Sequence, residues 1–555
     1  MFQAVEKPGL IRSLRAACQW SGGRSLFWQV VGTIFAWLYI VGLHLHNNGL
    51  WYQGDAPRHA ANGLFWWDFL TSLPVNPLEF ALGYYARYPV INPTAYPPLF
   101  YVLEGALFWL FGASPFIAKY LVLAFAFTAA LYATAWLRRW LCEEAGWGGV
   151  LLLLQPGIIG WSHAIMLNVP SMAMVLAALY HTRRWLETPA SRHIYPAASF
   201  AVLGILTYLH ASIVIWIILA WVVAQGHRWV LRDRRALTLG VLSLVVLLPW
   251  ALVVLRWAPV HAAWVFNPNM VSNPYRWTFY LMRLPELFTA PALILAVLGV
   301  GVGICQRRWR QEVTLSVIWA LVSYAGLSYI VAREGRYILF LGPPIVFLAF
   351  VAMMPLIRGG WVRWRPLPSL LFLSGTAILL GLHVWTASLV RVPRVDGFEE
   401  VVAFFERASP KERIFYYGHY NGVFSFYVRA GDKDFDRGVV LASKLLYVTK
   451  IMFNQFDRVS SASEVVEILR KECGCTLLAI ETSGVSDRIP AAKHLREALR
   501  GKEFQLVKSF SIVDPRATRI DVYRLLLPLE RPEQLELRFP ALGKGRMFRV
   551  KPLEP

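Results

Sequence analysis

Charged residues are scarce in this 555-residue chain. Asp, Glu, Lys and Arg make up 16% of it, whereas a soluble globular domain carries about 25%. Hydrophobic residues reach 57%, and the mean hydropathy is +0.46. Because a soluble surface needs charge, this composition excludes an ordinary soluble protein and predicts a membrane protein.

Acidic residues are especially few. There are 34 Asp and Glu against 55 Lys and Arg, which gives a net charge of +21. The basic residues of the first 390 positions form short clusters between apolar runs. This pattern is typical of cytoplasmic loops and of contact with anionic lipids. We therefore expect membrane lipids as partners and no nucleic acid.

Cysteines and glycosylation signals are also sparse. The chain has five cysteines, and Cys473 and Cys475 have no second pair with which to form a zinc site. One residue between them is too little for an ordinary disulfide. No Asn-x-Ser/Thr sequon is usable, since Asn92 is followed by proline. The absence of sequons favours a bacterial envelope.

Long apolar runs predict about eleven membrane-spanning helices, because a crossing needs about 20 apolar residues. The fifth and sixth runs are short and are separated only by His210, so they form either two crossings or one tilted helix. The predicted crossings are 26–45, 115–137, 147–165, 169–184, 195–209, 211–226, 236–257, 286–305, 312–331, 337–357 and 367–390.

Basic residues orient these crossings. Nineteen Lys and Arg lie in one set of alternate loops and six in the other set, up to residue 390. The rule that positive loops stay inside puts the first set in the cytoplasm. We therefore expect a cytoplasmic N-terminal segment (1–25), a membrane domain (26–390) and a periplasmic or extracellular C-terminal domain (391–555) of a plasma (inner) membrane protein.

The first external loop, 46–114, is long. Its apolar stretch Pro97–Gly112 is short and contains Glu104, and counting it as a crossing would reverse the orientation of the loops that follow. We expect it to stay in the outer leaflet or at the interface. The amphipathic stretches 57–70 and 76–86 predict helices that lie on the membrane surface.

The composition changes after residue 390. Residues 391–555 hold 28 of the 55 basic and 22 of the 34 acidic residues. Strand-like runs at 413–417, 476–480 and 520–525 alternate with helical stretches at 397–407 and 462–471. The predicted fold class is a mostly α polytopic bundle followed by a soluble α/β domain.

The chain up to residue 390 has twelve acidic residues, of which we expect six on the cytoplasmic side and six at the outer face. None lies convincingly in the middle of a crossing, as an ion-coupled transporter would require. Asp55 follows the first helix, with Gly54 before it and Pro57 after it. Asp55 either caps a helix that starts here or takes part in chemistry.

Further polar patches fall at the same face. The guanidinium groups of Arg333 and Arg336 either clamp a phosphate or anchor a helix end at the interface. Lys119 either reaches the interface or faces a phosphate. The other residues singled out are His59, Tyr96, His163, Asn168, Glu334 and Tyr337.

These patches, in this order, resemble the GT-C superfamily of glycosyltransferases. The closest resemblance is to the protein O-mannosyltransferase-like family, which includes the bacterial transferases that add aminoarabinose to lipid A. The matching pieces are Gly54-Asp55 with Arg58, Tyr96-Pro-Pro-Leu99, Met166-Leu-Asn-Val-Pro170, and Arg336-Tyr337 followed by Pro343-Pro344. The resemblance covers about residues 26–390.

The resemblance implies a polyprenyl-phosphate-linked sugar donor and a glycan, lipid or protein acceptor reached from outside. It implies that Asp55 acts as a base or orienting group at the acceptor in a single inverting displacement. The cations expected at the leaving phosphate are Arg58, Lys119, Arg333 and Arg336, with Tyr337 beside them. The lining expected around them is His59, Tyr96, His163, Asn168 and Glu334.

The chain departs from the family at three places. A second acid after Asp55 is replaced by Ala56, an Asp before Val-Pro by Asn168, and a Glu-Lys pair before Pro-Pro by Ala95-Tyr96. The loss of both acids favours a mechanism without a metal or other cofactor. A transporter or lipid flippase is the alternative function, although no internal repeat supports it.

Overall fold

The structure is a computed structural model. It describes residues 8–50, 54–92, 94–257, 275–330, 332–358, 367–450, 453–482, 489–516, 518–530, 535–538 and 547–550. Outside the described residues lie the two ends of the chain, 1–7 and 551–555. Positions 51–53 and 93, which belong to the polar patches singled out in the sequence, also lie outside them. The helices up to residue 389 are α1 (Pro8–Leu43), α2 (Asp55–Ser72), α3 (Pro77–Arg87), α4 (Leu99–Phe111), α5 (Pro115–Trp140), α6 (Gly148–Leu153), α7 (Pro156–Ser162), α8 (Asn168–Glu187), α9 (Ile194–Thr207), α10 (Ile213–Ala224), α11 (Arg234–Trp257), α12 (Tyr275–Leu287), α13 (Ala290–Cys305), α14 (Arg310–Tyr329), α15 (Gly342–Arg358) and α16 (Leu367–Leu389).

The chain is a multi-pass membrane protein. Six helical segments of the described residues are long and apolar enough to cross a membrane. They coincide with the predicted crossings at 26–45, 115–137, 236–257, 312–331, 337–357 and 367–390. A seventh crossing is added if α12 and α13, which meet at a bend of 117°, count as one span.

Among the remaining predicted crossings, 169–184 is the single helix α8, while the others are interrupted or short. The run 147–165 is two short helices, α6 and α7, separated at Leu154 and Gln155. Pro156 disfavours a helical conformation for Gln155, which has ψ near 134°. The stretch 194–224 is likewise broken at Tyr208 between α9 and α10. Length and composition alone therefore give fewer crossings than the eleven expected.

The segment 46–114, which we predicted as the first external loop, contains three helices. α2 and α3 cover the predicted amphipathic stretches, and α4 has 13 residues, which is too short to cross a bilayer. Small residues let α2 and α4 approach closely: a Cβ added to Gly105 would lie 2.5 Å from the carbonyl oxygen of Gly63. The two helices therefore form a closely packed pair that carries Asp55 at one end.

The chain beyond residue 390 is the predicted α/β part. Its elements are α17 (Phe398–Ala408), β1 (Arg413–Tyr417), α18 (Asn421–Gly431), β2 (Gly438–Leu441), α19 (Ala442–Leu445), β3 (Tyr447–Lys450), β4 (Phe453–Asp457), α20 (Ala462–Ile468), β5 (Leu477–Glu481), α21 (Pro490–Ala498), β6 (Phe504–Ser511), β7 (Arg519–Leu525), β8 (Leu535–Arg538) and β9 (Met547–Val550). Five strands form one sheet in the order β2-β1-β5-β7-β6, in which β2, β1 and β5 are parallel. The predicted fold class is confirmed.

The sheet-containing part packs on α2 and α3. The Arg429 guanidinium pairs with Asp68 of α2 through Nη2 and also donates from Nε to the Tyr84 hydroxyl at 2.9 Å. The Tyr88 hydroxyl donates to the Asp432 carboxylate. Because Asp68 and Arg429 are both largely buried, these contacts hold the two parts together away from solvent.

Candidate active site

The Asp55 carboxylate is shared by two guanidinium groups. Its Oδ1 accepts from Arg58 Nη1 at 3.0 Å, and its Oδ2 accepts from Arg336 Nη2 at 2.7 Å. Asp55 is the first residue of α2, yet its side chain makes no capping hydrogen bond to the helix backbone. The carboxylate is therefore engaged by side chains, and helix capping does not account for it.

Arg336 contacts the Asp55 carboxylate from a segment near the C-terminal end of the membrane part. It lies in a short 3-10 helix, Gly335–Leu341, that leads directly into α15. Its guanidinium also pairs with Glu334 at 2.5 Å and lies 5.6 Å from the ring of Trp161. Only 3% of Arg336 is exposed. An arginine that anchors a helix at the lipid interface would be exposed. The burial of Arg336 therefore argues against interfacial anchoring as its role.

The charges of the site control the ionisation of Asp55. Burial by itself raises the pKa of Asp55, but Arg58 and Arg336 outweigh it and lower the pKa to about 2. Burial likewise raises the pKa of Glu334, against the lowering effect of Arg336. At neutral pH Asp55 is ionised and already carries two hydrogen-bonded cations.

His59 packs together with Tyr96 and Tyr101 next to Asp55. His59 lies one turn along α2, and its Nδ1 is 2.6 Å from the hydroxyl of Tyr101. The ring of Tyr96 meets the His59 ring edge-on at 4.8 Å. Burial is the largest cause that lowers the pKa of His59, which falls to about 3. His59 is therefore a neutral imidazole at physiological pH.

The structure brings together most, but not all, of the predicted site residues. Those that meet around Asp55 are Arg58, His59, Tyr96, Glu334, Arg336 and Tyr337. Arg333 lies close to this group, partly buried, with its charge acting on Tyr280. Arg58 of α2 and Arg336, which precedes α15, thus lie at the same carboxylate although they are far apart in the sequence.

Lys119, His163 and Asn168 make their contacts elsewhere. The Lys119 ammonium donates to the backbone carbonyls of Asn47 and Gly49, which follow α1. His163 Nε2 lies 2.9 Å from the Ile40 carbonyl. Asn168 is buried as the first residue of α8. Within the described part of the chain, no hydrogen bond joins any of these three side chains to the Asp55 group.

Sequence reasoning missed several residues at the site. Tyr208 and His210 lie where α9 and α10 are separated, and the His210 ring is 4.6 Å from that of Tyr337. The interruption of the apolar run at His210 was the signal for them. Lys444 of α19, whose pKa is lowered first by burial and then by the charge of Arg58, had no signal, since it belongs to the separate α/β part.

Among the described residues no group of three His, Cys, Asp or Glu side chains is placed to hold a metal ion. Asp55 has Ala56 beside it, and its two oxygens already accept from arginines.

Comparisons with known proteins concern the fold. The sequence matches no family model and no curated protein. The structure is similar to ArnT from Cupriavidus metallidurans bound to undecaprenyl phosphate, with a TM-score of 0.58, 14% identity, and coverage of 90% of this chain and 97% of that chain. For the apo state of the same protein the TM-score is 0.60 at 14% identity, with coverage of 92% and 99%.

A second neighbour is the oligosaccharyltransferase AglB from Archaeoglobus fulgidus, in complex with an inhibitory peptide and a dolichol-phosphate. Its TM-score is 0.53 at 12% identity, and the match covers 82% of this chain and 69% of that chain. The fold expected from the sequence motifs is therefore confirmed, since this chain shares the fold of these two membrane proteins.

Proposed function

We propose that this chain is a membrane glycosyltransferase that moves a sugar from a polyprenyl-phosphate-linked donor to an acceptor at the outer face of the membrane. The observation that carries the proposal is the Asp55 carboxylate held between Arg58 and Arg336. It combines an ionised acid with two cations, in a partly buried site. Two neighbours support the choice of donor, since ArnT was solved with undecaprenyl phosphate and AglB with a dolichol-phosphate.

The proposed reaction is a single inverting displacement. The acceptor oxygen, from a hydroxyl or a phosphate, attacks the anomeric carbon of the sugar. The bond from that carbon to the phosphate oxygen breaks, and polyprenyl phosphate leaves with the bonding electrons. Where the acceptor is a hydroxyl, its proton passes to Asp55. Arg58 and Arg336 stabilise the charge that develops on the leaving phosphate, an effect that is strong in a poorly hydrated cleft.

The low pKa of Asp55 fits a role that depends on the donor. With both arginines on the carboxylate, Asp55 is a weak base, because its pKa is about 2. A donor phosphate competes for the same guanidinium groups and draws them away from the carboxylate. The pKa of Asp55 then rises, so the base becomes effective only after the donor is bound.

The proposed setting is the inner membrane of a bacterium. The distribution of basic loops supports a cytoplasmic N-terminus, and hence a site and an α/β domain that face the periplasm or the exterior. The acceptor is a glycan, a lipid or a protein on that side.

The test is transfer by the purified full-length chain. We expect it to consume an undecaprenyl-phosphate sugar from a panel of such donors when membrane extract supplies the acceptor. Asp55→Asn should lower the rate by at least about a hundredfold, as expected for the loss of a base. Arg336→Ala should weaken donor use. Unchanged transfer by Asp55→Asn would refute the role of Asp55, and no transfer by the wild type from any donor would refute the proposed function.

A further inference from the structure

One side of the sheet in the α/β part faces the first turn of α2: the edge at which the parallel strands have their carboxyl ends. β1 and β2 are parallel neighbours, so their carboxyl ends lie at the same edge. α18 starts after β1 at this edge, and α19 starts directly after β2. A Cβ added to Gly422, the second residue of α18, would lie 3.0 Å from Pro57 and 3.9 Å from the Gly54 carbonyl oxygen. This edge therefore meets the segment that carries Asp55.

Lys444 is the cation that α19 brings to this edge. It is partly buried. Its pKa is lowered to about 8, first by burial and then by the charge of Arg58. The ammonium group is thus mostly protonated at neutral pH, and the charge of Arg58 acts on it. Among the described residues it has neither a hydrogen bond nor an ion pair with an acid.

The charges around Asp55 leave room for one more anion. Arg58 and Arg336 are balanced by Asp55 and Glu334. Lys444 adds a positive charge beyond those of these two arginines and of Arg333, and none of the described acids forms an ion pair with it. Two cations side by side repel each other, and an anion between them removes the repulsion. The leaving phosphate of a polyprenyl donor gains negative charge during the reaction, so it benefits from this additional cation.

We propose that Lys444 of the α/β part completes the phosphate-binding site and, with Arg58, binds the phosphate of the polyprenyl donor. This inference rests on the proposed function and names a specific contribution of the α/β part to it. The membrane part would supply the arginines, while the α/β part would close the site and supply the lysine. Donor binding would then depend on both parts of the chain.

The test is the binding of undecaprenyl phosphate to the full-length chain in nanodiscs. Lys444→Met keeps the length of the side chain and removes the charge, and should weaken binding about tenfold, the effect of losing a charge-assisted hydrogen bond. Lys444→Arg should restore binding to within about threefold of the wild type. Lys493→Met, at an exposed lysine of α21 in the same part of the chain, is the matched control and should bind like the wild type.

The outcomes separate the two proposals. If the wild type binds undecaprenyl phosphate and Lys444→Met binds it equally well, the role of Lys444 is refuted while the proposed function stands. If the wild type does not bind it at all, the proposed function fails. Equal affinity of the wild type for inorganic phosphate would refute a site for the polyprenyl donor. Should Lys444→Met not fold, Lys444→Gln replaces it, and the melting temperature of each variant is measured first.

Discussion

Replacement of Asp55 by Asn should have opposite effects on binding and on chemistry. In the free protein the carboxylate occupies the two guanidinium groups that we assign to the donor phosphate. A donor must displace it from them at least in part. The amide of Asn keeps the shape of the side chain without the charge, so the arginines become free for phosphate. We expect tighter binding of undecaprenyl phosphate together with the loss of sugar transfer.

The size of the effect follows from the ionisation of Asp55. Its pKa moves from 3.8 to about 2, and each unit corresponds to about 1.4 kcal/mol. The carboxylate therefore interacts with its surroundings by roughly 2–3 kcal/mol in favour of the ionised form, after the opposing effect of burial. If the donor displaces it fully, removal of the charge tightens binding by up to roughly a hundredfold. Partial displacement gives about tenfold.

The assay is equilibrium binding of undecaprenyl phosphate to full-length protein in nanodiscs, beside a transfer assay on the same preparations. Glu312→Gln is the matched control. Glu312 is a buried acid near the start of α14, where it pairs with Arg183 of α8. It lies about 25 Å along the axis of α14 from Tyr329, the last residue of that helix. That variant should lose stability without a change in binding or transfer. Weaker binding by Asp55→Asn than by the wild type would refute the competition between carboxylate and phosphate.

Three further predictions concern neighbouring residues. Arg336→Lys keeps a positive charge but loses the two-pronged contact with Asp55 and Glu334, so binding of undecaprenyl phosphate should fall about tenfold; an unchanged affinity would remove Arg336 from the phosphate site. Gly422→Val would press on Pro57 and should lower transfer and increase proteolysis between the two parts, whereas Gly83→Ala, which meets no neighbouring atom within 4 Å, should leave both unchanged. The lowered pKa of His59, about 3 against 6.5, means that the unfolded chain takes up a proton below pH 6.5 while the folded chain does not, so stability falls as the pH drops from 6.5. His59→Gln should flatten that decline in a series of melting curves from pH 7 to pH 4, and parallel curves would contradict the reasoning.

The sequence anticipated the elements of the fold with good accuracy. Strand β1 occupies the predicted residues 413–417. The predicted amphipathic stretches 57–70 and 76–86 correspond to α2 and α3. These features follow from local causes, since hydrophobic periodicity and chain breakers act over a few residues. The break at Gln155 was missed because an apolar run looks continuous in composition, while the proline after it ends the helix.

The site divides in the same way. Asp55 and Arg58 are three residues apart on α2, so the sequence alone predicted that they belong together. The sequence also named Arg336, because it stands in a motif, but did not fix which acid it would meet across 281 positions. The sequence also named Lys119, like Arg336, as a phosphate ligand. In the structure the Lys119 ammonium instead donates hydrogen bonds to two backbone carbonyls that follow α1.

The sequence by itself determined that this chain crosses a membrane, carries an α/β part, and places an acid and arginines after particular helices. Those properties depend on composition and on spacing along the chain. Only the tertiary structure decided which cations share the Asp55 carboxylate and that the α/β part meets the first turn of α2 at Gly422. The physical reason is that electrostatic interactions act through space over a few ångströms, and packing alone determines which distant residues come that close.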